Sequence, residues 1–376
     1  MFERVWRIVV KEFIQIRRDP KMLVVMLSAP VMQMLVFGYA ATTDVRHAAT
    51  AVYDLDQSIA SRELVARFVQ SGYFDVVARV NDEAQARSLV DRGEAAIVLR
   101  MNKGFAEHLA AGRPAELQLI VDGTDSNSAG IVLDYANKIA WEFSRGILVR
   151  RYAALAGPGR LPAQVDLQTR AWFNENLESR NYFLPGVVAM IVTLTTLILT
   201  SMAVVREKEI GTIEQILVTP ITPLEFMLGK TIPFALVGLA DVALVASVAV
   251  FWFGVPIRGS LAFIFFATSV YLMTTLGTGL LISTISRTQQ QALMSSMLFY
   301  FPLVFLSGFA FPVSNMPQVV QWLSAINPLR HFLVVLRGIF LKGVGIETLW
   351  PQLLLLTVMG AAILRLASLR FRKTLT

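Results

Sequence analysis

The sequence contains no cysteine and has few charged residues. Without cysteine, the 376-residue chain has no disulfides, no thiolate metal ligands and no cysteine nucleophile. Only 16% of its residues are charged, compared with about 25% in soluble proteins. Hydrophobic residues make up 55%, and the mean hydropathy is +0.57. This composition is typical of a membrane protein.

Histidine is also scarce. His47, His108 and His331 lie far apart, with no carboxylate at ligand spacing, so no metal site is predicted. Gly229-Lys230-Thr231 resembles the end of a P-loop, but the position of the first P-loop glycine is occupied by Leu224 and a membrane helix follows. We therefore predict that this chain has no nucleotide site and is not an enzyme.

Charge is unevenly distributed along the chain. Residues 42–182 carry 34 charged side chains, 24% of the segment, whereas the other 235 residues carry 27, or 11%. The formal charge is −2 in the first set and +9 in the second. A basic surplus beside apolar runs is typical of membrane topology and contact with anionic lipid, so we predict no nucleic-acid partner.

Long apolar runs predict an α-helical polytopic membrane protein. A bilayer core takes ~20 apolar residues per helix, and six segments meet that length. The predicted transmembrane helices are residues 22–41, 182–205, 231–257, 259–286, 288–312 and 348–368. Prolines interrupt residues 313–347, which predicts outer segments that re-enter the membrane or lie on its surface.

The basic residues predict the orientation of these helices. With both termini inside, the short inner pieces carry 14 basic residues and the short outer pieces carry 4. Residues 206–230 and the tail 369–376 are then cytoplasmic, and residues 42–181 are extracytoplasmic. In residues 1–21, Val5, Ile8, Val9, Phe13 and Ile16 recur at helical spacing among basic residues, which predicts an interfacial amphipathic helix.

The outer segment alternates strand-like and helix-like stretches, which predicts a small α/β domain with some parallel pairing. The predicted strands are 51–53, 74–80, 95–99 and 117–121, and the predicted helices are 58–70, 82–91, 103–111 and 129–151. The pairs Asp54/Asp56 and Asp122/Asp125 follow strands, where turn and helix-capping roles are favoured over acid–base chemistry.

Two polar side chains interrupt the apolar runs. Asp241 lies near the centre of a predicted span, where a carboxylate costs about 3 kcal/mol to insert and must face a cavity, a partner or the bundle interior. It is either a functional group for a cationic substrate or dimer gating, or a structural hydrogen-bond partner of a nearby Ser or Thr. Gln33 poses the same question.

The longest cytoplasmic connection, residues 206–230, has a helical pattern. Ile210, Ile213 and Leu217 fall on one face, and Glu207 and Glu214 lie away from it. Either this is a short amphipathic helix that turns an acidic face toward a docking partner, or it is a solvated loop. The pattern alone leaves both open.

This connection resembles the cytoplasmic loop of the ABC-2-type permeases, the membrane subunits of one class of ABC exporter. The shared pattern is R-E-x-E-x-G-T-x-E-x-[IL]-x-x-T-P followed by a Gly-Lys pair. Asn174-Glu175 departs from the family, which often has Asn-Pro there. Three further blocks resemble the family, in the same order. They are Lys11-Glu12 with Arg18-Asp19-Pro20, then Phe183-Leu184-Pro185-Gly186, and then Ser307-Gly308-Phe309 through Pro312, Met316-Pro317, Asn327-Pro328-Leu329 and Arg337-Gly338.

The resemblance implies a permease in the bacterial inner membrane whose loop docks on a separate ATP-binding subunit, which binds ATP and Mg. It implies a dimer and, for members with a large outer domain, drugs or small amphiphiles as substrates and a periplasmic adaptor with an outer-membrane duct. The implied coupling residues are Arg206, Glu207, Glu209, Gly211, Thr212, Glu214 and Pro220. The implied outer re-entrant motif is Gly308, Pro312, Asn327, Pro328 and Arg337.

Two other functions stay open at this point. One is an extracytoplasmic sensor or scaffold anchored by the helices. The other is an ion-coupled transporter that uses Asp241 as a proton carrier and needs no ATPase.

Overall fold

The computed structural model describes residues 2–40, 47–156, 172–174, 178–211 and 221–374. The chain divides into two compact units. One, which we call the helical unit, consists of Met1–Thr42 and Ala171–Thr376; the other, the α/β unit, is Thr43–Arg170. This division follows the uneven distribution of charge, because the charged segment of the sequence is the part that folds around a sheet.

The described chain begins with two helices, α1 (Phe2–Arg18) and α2 (Pro20–Ala40). The predicted amphipathic helix is confirmed as α1, and its apolar residues lie on one broad side of the helix. Val9 and Ile16 are buried in the protein, whereas Phe2 and Trp6, which lie beside them on the same side, are 84% and 58% exposed. One part of the apolar side therefore packs on the helical unit, and the adjoining part remains exposed.

The α/β unit confirms the predicted alternation of strands and helices. Its elements are β1 (Ala48–Asp54), α3 (Ile59–Gln70), β2 (Phe74–Arg79), α4 (Glu83–Asp91), β3 (Ile97–Met101), α5 (Phe105–Ala111), β4 (Leu117–Val121) and α6 (Ser126–Ala156). The strand order is β2-β1-β3-β4. β1 is parallel to both its neighbours, and β4 is antiparallel to β3, so the predicted parallel pairing is confirmed.

The aspartates that follow the strands of this unit have the predicted capping roles. Asp54 accepts hydrogen bonds from the backbone of Gln57 and from the hydroxyl of Ser61. Asp56 accepts from the backbone N–H groups of Gly104 and Ala106 at the start of α5. These carboxylates are used to terminate strands and begin helices.

The remainder of the helical unit is built around α7 (Ser179–Ile210). In the most apolar 18-residue stretch of this helix, 72% of the residues are buried. The helices that follow are α8 (Pro223–Phe251), α9 (Leu261–Ile285), α10 (Gln289–Phe305), α11 (Gln318–Ala325), α12 (Pro328–Arg337) and α13 (Ile346–Thr374). A 3-10 turn, Val313–Asn315, precedes α11, and a π turn, Gly338–Lys342, extends α12.

Four helices of the described chain, α7, α8, α9 and α13, are long and apolar enough to cross a membrane. The pair α11 and α12, bent by 80°, gives a fifth span if it is counted as one broken helix. α2, with 21 residues, and α10, with 17, are not among these spans. The chain is thus a multi-pass membrane protein, and the count of six remains a prediction.

Several predicted spans differ from the observed helices at their ends. α7 continues to Ile210 beyond the predicted 205, because Arg206 to Glu209 are good helix formers and the positive φ of Gly211 then ends the helix. α10 ends at Phe305 before the predicted 312, and the chain turns at Gly308, where φ is +80°. α8 begins and ends earlier than the predicted 231–257, and α13 continues beyond 368. The longer α7 brings the opening residues of the predicted coupling loop into the central helix.

Hydroxyl groups connect α7 to α9 in the interior of the helical unit. Thr193 lies 2.6 Å from the hydroxyl of Tyr271, and Thr196 donates to Thr275 over 3.1 Å. Ser283 accepts from the backbone N–H groups of Val204 and Val205. Such bonds between apolar helices fix their register, so α7 and α9 form one packed pair.

Candidate functional site

One end of the helical unit collects the segments predicted to be cytoplasmic. We call it the charged end; it comprises α1, the last turn of α7, the first turns of α8 and the connection from α9 to α10. Lys208 at the end of α7 donates to the carbonyl of Thr284 at the end of α9, and Glu209 accepts from Gln289 at the start of α10. Basic residues from distant parts of the sequence are therefore brought to one end.

Three helices meet at this end through a buried group of charges, which we call the ion cluster: Lys11, Glu12, Glu207 and Lys230. Lys230 Nζ of α8 lies 2.7 Å from Glu12 Oε1 of α1 and 2.8 Å from Glu207 Oε1 of α7. Lys11 Nζ lies 2.9 Å from the same oxygen of Glu207. The cluster contains two cations and two carboxylates and is formally neutral.

Burial makes the ion cluster sensitive to loss of any of its three buried members. The side chains of Lys230, Glu12 and Glu207 are only 4%, 6% and 7% exposed, whereas Lys11 is 52% exposed. Removing one partner from a buried pair leaves an uncompensated charge and costs about 3–5 kcal/mol. The contribution of the cluster is therefore to fix how α1, α7 and α8 meet.

Local sequence positions each member of the cluster. Glu12 lies on the buried face of α1, and Glu207 lies one turn before the Gly211 cap of α7. Gly229, next to Lys230, allows α1 to approach closely, since a Cβ at that position would lie 2.6 Å from Ile8 Cβ. The Gly-Lys pair thus combines a close helix contact with a buried cation.

The start of α8 is fixed by a capping box. The hydroxyl of Thr222 accepts from the backbone N–H of Glu225 at 3.3 Å, and the Glu225 carboxylate accepts from the backbone N–H of Thr222 at 2.8 Å. Arg4 of α1 lies 3.8 Å from the same carboxylate. α1 therefore holds the start of α8 at two places, through Arg4 and through the ion cluster.

The structure changes the interpretation of the predicted coupling residues. Glu207 does not belong to an exposed acidic face, because its carboxylate is turned inward to Lys230. Glu209 is exposed and bound to Gln289, and Arg206 is half-buried. Thr212, Glu214 and Pro220 lie outside the described residues. The described part of the motif is thus an anchor between helices.

The two intramembrane polar candidates differ in their surroundings. Asp241 is 3% exposed, and Thr195 on α7 is its polar neighbour. Its Oδ2 has no hydrogen-bond partner among the described residues. Gln33 of α2 is half-buried, and its side chain makes no hydrogen bond within the described chain. Burial costs more free energy at Asp241 than at Gln33, because a buried carboxylate oxygen without a hydrogen-bond donor is destabilising.

The opposite end of the helical unit, which we call the re-entrant end, holds residues 178–183, 254–260 and 306–345. There Arg337 donates from Nε to the carbonyl of Tyr182 and from Nη1 to the carbonyl of Gly308, both over 3.3 Å. Its guanidinium lies 3.8 Å from the centre of the Tyr182 ring. The structure therefore brings together Gly308 and Arg337, two residues of the predicted outer motif.

Asn327 and Pro328 form the bend between α11 and α12. Asn327 Oδ1 accepts from the backbone of Leu329, and its Nδ2 donates to the carbonyl of Leu303 over 2.7 Å. Pro328 occupies the first position of α12, where its missing N–H costs nothing. Pro312 precedes the 3-10 turn and makes no side-chain cap bond. The bend is thus tied to the end of α10.

Sequence reasoning missed Glu12 and Lys230 as members of the site. Lys230 was noticed only in a chance P-loop match and in the Gly-Lys pair, and Glu12 only in the Lys11-Glu12 block. One signal was present: each is a charge on the apolar flank of a helix, which requires an opposite charge nearby. The pairing itself spans more than 200 residues of sequence.

Comparison with known proteins places the chain among transporter proteins. The sequence model described as ABC-2 family transporter protein matches residues 20–369. The chain is 34% identical over 366 residues to the probable multidrug ABC transporter permease YbhR of Escherichia coli K12, covering 96% of this chain and 97% of that protein.

Two further Escherichia coli K12 proteins are similar over most of their lengths. The probable multidrug ABC transporter permease YbhS is 35% identical over 349 residues, 91% of this chain and 89% of that protein. The inner membrane transport permease YhhJ is 33% identical over 361 residues, 93% of each. These matches extend through both units of the chain.

Proposed function

The chain belongs to the ABC-2 family of transporter proteins, and from this premise we propose that it is the permease subunit of an ATP-driven exporter. A separate subunit binds ATP and Mg and hydrolyses the nucleotide. The substrates are drugs or small amphiphiles taken from the cytoplasm or the inner leaflet. The names of YbhR and YbhS, which describe probable multidrug permeases, support this substrate class.

The observation that carries the proposal is the ion cluster together with the two caps beside it. Gly211 ends α7 and Thr222 precedes α8, so both helices that flank the predicted coupling segment have defined ends. Lys230 connects α8 to Glu207 near the end of α7 and to Glu12 on α1. A force applied to this connection by a docked subunit would reach three helices together.

The central helix then carries the motion into the membrane. α7 is bonded to α9 by the hydroxyls of Thr193 and Thr196 and to the re-entrant end through Tyr182 and Arg337. In the proposal, closure of the ATP-binding subunit tilts α7 and its partners as one body. The substrate path lies between the helices of two protomers, and substrate leaves toward the α/β unit.

The proposed topology has six spans, with α2 and α10 as the first and the fifth. The charged end and both termini face the cytoplasm, and the α/β unit is extracytoplasmic. The excess of basic residues in the predicted inner pieces supports this orientation. The α/β unit is then placed to bind a periplasmic adaptor that leads to an outer-membrane duct.

Photo-crosslinking in native membranes tests the proposal. A photoreactive residue replaces Ile210, which is 62% exposed at the charged end, and a matched control variant carries it at Phe251, 88% exposed at the other end of α8. Capture of an ATP-binding subunit from position 210 and not from 251 is the expected result. Equal capture at both positions, or capture at 251 only, would contradict the proposal.

The ion-coupled alternative has one observation in its favour, the unpartnered Oδ2 of Asp241. It would move substrate with a proton gradient and without ATP. The variant Asp241→Asn separates the two functions in inverted vesicles. If the protein is an ATP-driven exporter with a structural Asp241, the variant keeps ATP-dependent transport. If Asp241 carries protons, the variant loses transport, and a proton ionophore abolishes transport by the unchanged protein.

A further inference from the structure

Two adjoining cavities lie at the charged end and have different linings. One, of about 590 Å³, is lined by Lys11, Ile14, Gln15, Arg18, Asp19, Pro20 and Arg206. The other, of about 240 Å³, runs inward between α1, α7 and α8 and has mainly apolar walls. Gln15 and Arg206 line both cavities, so the basic one opens onto the apolar one at these two side chains.

The basic cavity has cations in excess. Lys11 is already paired with Glu207. Arg18 and Arg206 form no ion pair with any carboxylate in the described part of the chain, and Asp19 is the single acid of the lining. Arg206 is half-buried, and a half-buried guanidinium has five donors that favour a phosphate or a carboxylate.

The second cavity has mainly apolar walls. Ile16 of α1, Leu199, Met202 and Ala203 of α7 and Phe234 of α8 form its walls. Its two charged lining residues besides Arg206 are Glu12 and Lys230, which lie 2.7 Å from each other and neutralise each other. The ligand that this pair of cavities fits has one anionic group attached to an apolar chain.

We propose that this pair of cavities binds an anionic amphiphile of the acidic-phospholipid kind, with its phosphate at Arg206 and Arg18 and its acyl chain between α1, α7 and α8. Phe2, Trp6 and Phe13 of α1 are exposed on the side of the helix away from the basic cavity, the pattern of a helix that lies among lipid headgroups. The inference rests on the proposed function only for assigning the basic cavity to the inner leaflet.

Comparison with the other cavities of the described chain supports this choice. A second basic cavity, of about 480 Å³, is lined by Lys208, Thr284, Ile285, Ser286, Arg287 and Arg370, and it shares none of these residues with the apolar-walled cavities of about 240 and 210 Å³. An apolar cavity of about 210 Å³ between α8 and α9 has no charged residue in its lining. Cationic and apolar linings adjoin at Arg206, and the second basic cavity supplies a matched control.

The test uses phosphatidylglycerol with a photoreactive diazirine in its acyl chain, added to the purified full-length chain in phosphatidylcholine nanodiscs. Mass spectrometry maps the labelled peptides. Label is expected on residues 199–206, with an equal amount of photoreactive phosphatidylcholine giving much less. Arg206→Gln is expected to lower this label about fivefold, the factor that one basic residue gives at an anionic membrane surface.

Three further variants make the result decisive. Arg287→Gln removes a cation from the second basic cavity and should leave the label on residues 199–206 unchanged, and Arg206→Lys should retain most of it. Ala203→Phe, which fills the apolar cavity and keeps every charge, should lower the label while the label on α13 remains as a folding control. Equal labelling by both lipids, or equal loss in Arg206→Gln and Arg287→Gln, would overturn the inference.

A competition arm distinguishes a lipid from a free anion. Glycerol phosphate carries the headgroup charge without the chains and should displace little label at millimolar concentration. Full displacement would show that the cavities bind a small anion, which contradicts the proposal. No ATP-binding subunit is present in this assay, so its failure would leave the proposed exporter function untouched.

Discussion

The two ends of the helical unit bury polar groups in different ways. At the charged end, Lys230 is matched by carboxylates from two other helices, Glu12 and Glu207. At the re-entrant end, Arg337 is matched by two backbone carbonyls and an aromatic ring, with no carboxylate among its described partners. One end is thus held by full charges, the other by neutral acceptors.

This difference bears on what each end can do. Loss of one member of a buried ion cluster leaves a bare charge, so the helices at the charged end are expected to stay together or separate as a group. The carbonyls that bind Arg337 are neutral, so a change in its contacts leaves no bare carboxylate behind. The charged end is suited to transmit force, and the re-entrant end to adjust its bonding while α7 moves.

The largest expected effect comes from Lys230→Met. Glu12 would then lose its closest cation and Glu207 would keep only the half-exposed Lys11, so we expect a loss of about 3–5 kcal/mol in stability of the purified full-length chain. Thermal unfolding in detergent measures it. Adding Glu12→Gln and Glu207→Gln to the variant should restore most of the loss, and Lys208→Met, whose partner is a carbonyl, should cost much less. A small loss of stability in Lys230→Met would contradict the proposed difference between the two ends, because the buried charges would then not hold the helices of the charged end together.

A smaller effect is expected from Arg337→Met. The variant loses hydrogen bonds from a charged donor and the stacking on Tyr182, a loss of about 1.5–3 kcal/mol. Arg337→Lys retains the charge but not the planar fork, so we expect it to recover only part of the loss in the same thermal assay. Full recovery by lysine would show that charge alone matters here, as at the charged end.

Gly229→Ala tests whether α1 must approach α8 closely for the ion cluster to form. The new methyl group would meet Ile8 Cβ at 2.6 Å, and the resulting displacement should cost about 1–3 kcal/mol. Gly130→Ala in α6 is the matched control, since nothing lies within 4 Å of its new Cβ and alanine favours the helix. Equal stability changes in the two variants would mean that α1 is not held at Gly229.

The smallest effect on stability is expected from Asp56→Asn. The Asp56 carboxylate is bound by neutral donors only, so it serves as a reference for the carboxylates of the ion cluster, which are bound by cations. Burial raises the pKa of Asp56, but hydrogen bonds from Ser58 and from the backbone of Ala106 and Gly104 outweigh it, so the pKa lies below its usual value. The stabilisation is therefore present above about pH 4, the unfolded pKa, and is lost as pH falls through the folded pKa. Thermal unfolding between pH 3 and 6 should be less pH-dependent in Asp56→Asn; an unchanged pH dependence would contradict the assignment.

The local structure could be predicted well from the sequence. Apolar alternation and helical periodicity are local signals, so the strands and helices of the α/β unit were placed within a few residues, and the parallel pairing was confirmed. The apolar runs likewise located α7, α8, α9 and α13. The ends of α7 and α10 were misplaced because they depend on one positive-φ glycine each, Gly211 and Gly308.

The site was harder to predict because its contacts are not local. One of the two interpretations left open by the pattern placed Glu207 on an exposed acidic face, but its partner, Lys230, lies on another helix, and Glu12 lies almost 200 residues away. The apolar side of α1 is partly buried and partly exposed, which its sequence did not show, because periodicity shows that a residue is apolar but not what covers it. Tertiary packing decides both.

In the proposed topology, the charged end faces the cytoplasm while the α/β unit lies outside. The chain has no native cysteine, so a single introduced cysteine can be labelled without background. Gln290→Cys lies on an exposed position at the charged end, and Gln85→Cys on an exposed position of α4. When spheroplasts are treated with a membrane-impermeant maleimide, labelling is expected at position 85, and none is expected at position 290 until the membrane is opened. Labelling at 290 in intact spheroplasts, with 85 protected, would contradict it.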